Sequence, residues 1–97
     1  MLLEIVDDPQ NNNKKCGKPG SPLRVFDLRG KAATEAKCKE ACLKNDLCVA
    51  GSGVWGKYCI GCKEHLAKQT GNPGDRGAIA FKKLGIFIAD VFYTVTG

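Results

Sequence analysis

Histidine occurs once in this chain, as His65. Cys–His hydrolysis therefore has no orienting acid at a recognisable spacing and no nucleophile that stands out. Long apolar runs are also missing: a spanning helix needs about 20 apolar residues, and the longest candidate, residues 85–97, is too short and carries Asp90. No Asn-x-Ser/Thr acceptor occurs, so glycosylation says nothing about compartment. The first residues show no basic start, apolar core or small-residue cleavage site, because Met1-Leu2-Leu3 runs directly into Glu4. We read the start as that of a mature or recombinant chain, or of one not secreted by that route. Arginine is sparse: of fifteen basic residues only Arg24, Arg29 and Arg76 carry the planar fork that suits base edges and phosphates, and twelve are lysine. Nucleic acid is not expected as a partner.

Cysteine, by contrast, is concentrated. Five of six lie in "CKEACLKNDLCVAGSGVWGKYCIGC", and Cys16 stands alone. A chain of 97 residues is one small domain with a barely sufficient apolar core, and such chains gain from cross-links. An even cysteine set in so small a chain is the usual arithmetic of a disulfide framework in a secreted or lumenal protein. Two rival uses exist. Cys59-x2-Cys62-x2-His65 offers three zinc ligands, to which Cys38 or Cys42 would add a fourth, but zinc would leave other cysteines unemployed. Cys59-Ile-Gly-Cys62 has the form of a redox dithiol, but the βαβ pattern that hosts one is missing. We expect no enzyme, no cofactor and no bound metal, and no membrane span.

Leu2 to Val6 reads as a short strand, and Asp7 to Lys15 as a loop rich in turn formers. Ser21 to Gly30 reads as a strand, with Leu23 and Val25 on one side and Phe26 and Leu28 on the other. Thr34 caps a helix over "EAKCKEACLKN", which lacks β-branched residues and sets Glu40 four before Lys44. Cys38 and Cys42 share one face of it with Ala41, while Lys37, Lys39, Glu40 and Lys44 look mostly to water. Asn45-Asp46 ends the helix, and the short loop from Cys42 to Cys48 can swing back so that the two sulfurs meet. Cys48 to Cys62 reads as two short strands around a Gly-containing turn. Lys68 to Gly77 reads as an exposed loop. "AIAFKKL" from Ala78 and "IFIADVFYTVT" from Ile86 read as β-type runs.

Taken together, Thr34, Cys38-x3-Cys42-x5-Cys48-Val-Ala, the glycine-containing hairpin, Tyr58-Cys59-Ile and the apolar run at 78–84 resemble the PAN/apple module of extracellular proteins. The resemblance covers residues 23–84, and leaves 1–22 as an N-terminal extension and loop and 85–97 as a β-type tail. It implies an α+β fold: a small curved antiparallel sheet with one helix packed across it. It further implies that Cys42 pairs with Cys48 and Cys38 with Cys59. The longer family form adds a bond from a cysteine near the start to one near the end of the last strand. No cysteine follows Cys62 here, so Cys16–Cys62 is proposed as the remaining pair, which the family pattern does not certify. A local likeness of Val25–Lys31 to the strand before the bilin-bearing cysteine of algal phycobiliprotein α chains ends at Lys31, which stands where that cysteine would be and cannot carry a bilin.

The module resemblance implies non-catalytic binding of proteins or carbohydrate in an extracellular or other oxidising compartment. Trp55 in the hairpin, beside Lys57 and Tyr58, is a candidate platform for a sugar ring or protein contact, with Lys63 and Arg76 as a basic rim. Trp55 can equally well cover the helix cysteines. A different reading makes the chain a small structural subunit of a larger assembly. Its contacts would be Ile86, Phe87, Ile88, Val91, Phe92 and Tyr93, with Leu2 to Val6 serving similarly.

Overall fold

Strand-forming runs separated by turns, with one strong helix signal, become an antiparallel sheet crossed by that helix. The structure, a computed structural model, describes residues 2–68 and 76–86. The strands are β1 (Leu2–Asp7), β2 (Arg24–Arg29), β3 (Ala50–Val54), β4 (Tyr58–Cys62) and β5 (Ile79–Ile86), and the helix α1 is Glu35–Lys44. The sheet order is β1-β5-β3-β4-β2, and every neighbouring pair is antiparallel. One helix packed on a five-stranded antiparallel sheet with three disulfides is a small α+β fold.

α1 begins where the cap residue dictates: the Thr34 hydroxyl accepts the Lys37 backbone N–H at 3.2 Å, satisfying one of the donors that a helix start leaves open. Glu40 and Lys44 form the expected pair along its outer face. Lys39 leans toward β1 and bridges Glu35 and Asp7 at 2.9 and 3.0 Å, and its pKa is raised chiefly by the hydrogen bond to Glu35. Cys38 and Cys42 point down and are fully buried.

Both faces of the sheet are covered. On the helix side Ala33, Cys38, Cys42, Cys48, Cys59 and Phe81 are buried together, flanked by Ile5, Val25, Phe26, Leu28 and Trp55. On the other side Cys16, Ala50, Tyr58, Ile60, Cys62, Leu66 and Ala80 form a second cluster, edged by Leu23, Val49 and Val54. The irregular segment from Asp8 to Leu23, called the strap below, contributes Cys16 and Leu23 to this second cluster. It is held to the sheet by individual hydrogen bonds rather than by a ladder. The Asn12 and Asn13 side chains accept the backbone N–H groups of Ala80 and Gly77, the Asn11 amide donates to Asp8 at 2.7 Å, and buried Ser52 donates to the Lys14 carbonyl at 2.7 Å. Pro9–Asn11 forms a 3-10 turn within the segment expected to be plain loop.

Leu2–Asp7 pairs with β5 along its whole length. Val25 does not share a side with Leu23: the register slips between Arg24 and Phe26, and this bulge turns Val25 to the helix-side cluster with Phe26 and Leu28 while Leu23 packs on the other. β5 runs to Ile86. Residues 69–75 of the expected loop and 87–97 of the tail lie outside the described residues.

β3 is buried along most of its length although it reads Ala-Gly-Ser-Gly-Val. Small residues are needed because other groups come close above it: a Cβ on Gly51 would collide with the Phe81 ring and the Ile60 carbonyl. Strand glycine here marks close approach rather than a turn. Gly51→Ala is accordingly expected to destabilise by about 1–3 kcal/mol through overpacking, read as a lower denaturant midpoint with the same slope; an unchanged midpoint would show that the site can absorb a methyl group.

Candidate functional site

Cys59 and Cys62 sit three apart on β4, and successive strand side chains alternate faces, so an odd spacing sends them to opposite sides of the sheet. Cys59 bonds Cys38 of α1 on the helix side, and Cys62 bonds Cys16 of the strap on the other, each with Cα atoms 6.0 Å apart. Cys42 bonds Cys48, in the loop before β3, with Cα atoms 5.2 Å apart. These are the three pairs set out from the sequence, and the cysteines are all bonded. A dithiol between Cys59 and Cys62 is ruled out by their facing apart. His65 is exposed, and among the described residues no group of metal-ligating side chains gathers.

The strap is further held by Arg24, a residue whose role composition did not reveal. Its guanidinium donates to the Cys16 carbonyl at 2.9 Å, to the Gly17 carbonyl at 3.1 Å and to Asp27 at 3.2 Å. With its side chain only 6% exposed, the fork is spent on the fold. Asp27 also receives both Arg29 donors, at 2.7 and 3.0 Å, and this contact raises the Arg29 pKa above its ordinary value.

The residues proposed as a ligand platform are divided by the structure. The Trp55 ring lies over Gly53 and against the helix-side cluster. Tyr58 is buried in the other cluster, where the Lys15 ammonium stands 4.9 Å and the Arg29 guanidinium 5.9 Å from its ring centroid. Trp55 and Tyr58 thus share no surface. Lys57 is exposed in the turn between β3 and β4, Lys63 is exposed at the opposite end of β4, and Arg76 is exposed just before β5. Since Ile79 pairs with Gly53, Arg76 belongs to the same end of the sheet as Lys57, and Lys63 does not. Lys31, exposed in the 3-10 turn Gly30–Ala32, joins Lys57 at that end: the Gly30 N–H donates to the Lys57 carbonyl at 3.0 Å, and the Gly56 N–H to Ala33 at 2.9 Å. Of the tail contacts, Ile86 ends β5; Phe87, Ile88, Val91, Phe92 and Tyr93 lie outside the described residues.

No protein-family model, curated protein or solved structure matches this chain. The likeness to the PAN/apple module therefore rests on the residues and spacings given above. Three disulfides are consistent with an oxidising environment. No helix among the described residues is long and apolar enough to cross a membrane.

Two outcomes are expected from this geometry. Sequence separations of 46, 21 and 6 for Cys16–Cys62, Cys38–Cys59 and Cys42–Cys48 convert by loop-closure entropy to about 4, about 3 and about 2 kcal/mol. Paired Cys→Ala variants should lose stability to denaturant in that order, and equal losses from the longest and shortest loops would refute the entropic account. Trp55→Ala should cost about 2 kcal/mol by uncovering the helix-side cluster; a variant as stable as the parent would show that the ring covers nothing.

Proposed function

We propose that this chain is a non-catalytic binding module of a secreted or lumenal protein, holding a protein or carbohydrate ligand on the loops at the ends of a stiff sheet. The observation that carries this reading is that the helix and the strap are each tied by sulfur to the same interior strand, β4, from opposite sides. Cross-linking of this kind restrains the scaffold while loop side chains remain free to vary, which is how small extracellular domains present a recognition surface. The PAN/apple resemblance supports the same role, because its helix cysteines take the same partners. Such fold-level support is analogy, and the ligand has to be argued from a surface.

The second reading, a structural subunit docked through its ends, would use Leu2–Asp7 as an edge strand paired on one side with β5, together with residues 87–97. Size-exclusion chromatography of the full chain and of a chain ending at Ile86 separates the two: a binding module gives monomers from both. Self-association of the full chain, abolished by the truncation, would transfer the case to the assembly reading. Alkylation of the native protein without reduction, followed by intact mass, should add no label; six labelled thiols in a folded protein would end the module reading.

A further inference from the structure

The end of the sheet that carries the β3–β4 turn collects positive charge from three separate parts of the chain. Lys31 comes from the turn after β2, Lys57 from the β3–β4 turn, and Lys15 from the strap, while Arg29 closes β2 opposite Tyr58. No acidic residue occurs between Asp27 and Glu35, or between Asp46 and Glu64. Among the described residues near this end, Asp27 pairs with Arg24 and Arg29, and Glu35 and Asp7 share Lys39.

We propose that this end of the sheet is a docking surface for an anionic polysaccharide, sulfated or carboxylated, contacted by Lys31 and Lys57 with Lys15 beside them. The inference rests on the binding-module reading and names the ligand class for it. Charge complementarity is the first support: a cluster of cations with few acids attracts a polyanion and displaces its condensed counterions. Preorganisation is the second. Backbone hydrogen bonds hold the turns of Lys31 and Lys57 side by side, and the Lys15 ammonium is steadied 4.9 Å from the Tyr58 ring centroid, so less conformational freedom is lost on binding. Lys31 and Lys57 are exposed and form no ion pair among the described residues.

The same features argue against nucleic acid. Single-stranded binding relies on exposed aromatic rings for base stacking, whereas Trp55 and Tyr58 are turned to the two clusters beneath. Base-edge reading favours arginine forks, and those of Arg24 and Arg29 are committed to Asp27.

The test is chromatography of the full-length oxidised protein on immobilised heparin, with single-stranded DNA-cellulose and anionic phospholipid vesicles as parallel probes. The variant Lys31→Glu with Lys57→Glu is compared with Lys18→Glu with Lys63→Glu, two exposed lysines outside the cluster whose replacement changes net charge identically. The parent is expected to stay on heparin above physiological salt, about 0.15 M. The first pair should lower heparin affinity at least tenfold and the second by less than threefold, with all melting temperatures alike. Lys31→Gln with Lys57→Gln, which removes charge without reversing it, decides the matter if the glutamate pair does not fold. Equal losses from both pairs would reduce the effect to net charge and overturn the proposal, as would stronger retention on DNA or vesicles than on heparin. A parent that passes straight through heparin overturns it too, yet leaves the binding-module reading to stand or fall on its own monomer and thiol measurements.

Discussion

The alternation of side chains along a β-strand is the constraint on which this molecule turns. Because Cys59 and Cys62 differ by an odd number of positions, β4 sends one sulfur up to the helix and one down to the strap. Few large side chains back these bonds. Phe81, Ile60 and Leu66 are the bulkiest that are fully buried, and most of the remaining interior is cysteine, alanine and serine. A core so thin would struggle to hold a ten-residue helix by apolar contact alone. Covalent ties supply the missing hold, and the glycines of β3 and β4 let the tied layers approach closely.

The two coverings of the sheet are achieved by different means. α1 satisfies its own backbone through the helical ladder and its cap, so little beyond its buried cysteines must be specified. The strap has no such ladder and depends on individual side chains, from the three consecutive asparagines to Arg24 and Ser52. A polar run that looks featureless by composition is therefore one of the most closely determined parts of the fold.

That contrast explains what could be read from the sequence. α1 was legible because Thr34, the alanines and the Glu40–Lys44 spacing are all local signals, and the β3–β4 hairpin was legible from its glycines and apolar alternation. Leu2–Asp7 was legible as a strand but not as a partner of β5, since strand pairing across most of the chain leaves no local trace. The bulge that turns Val25 around was hidden for the same reason: a slip of register is a property of two strands. The candidate site was less visible still. Neighbours in sequence, Trp55 and Tyr58, part to opposite faces, whereas Lys31 and Lys57 come to one end of the sheet only because the turns that carry them are hydrogen-bonded together. Charge counted along the chain shows that the middle is basic, not which cations share a surface.

The connectivity of the three bonds has a consequence for how the protein is made. Cys42–Cys48 lies wholly within the span of Cys38–Cys59, which lies wholly within that of Cys16–Cys62. The links are nested like brackets and never interlace, so oxidation can proceed from the innermost outward without threading one ring through another. Each inner link also shortens the effective length of chain that the next must gather, which favours correct maturation in a compartment where wrong partners are always within reach.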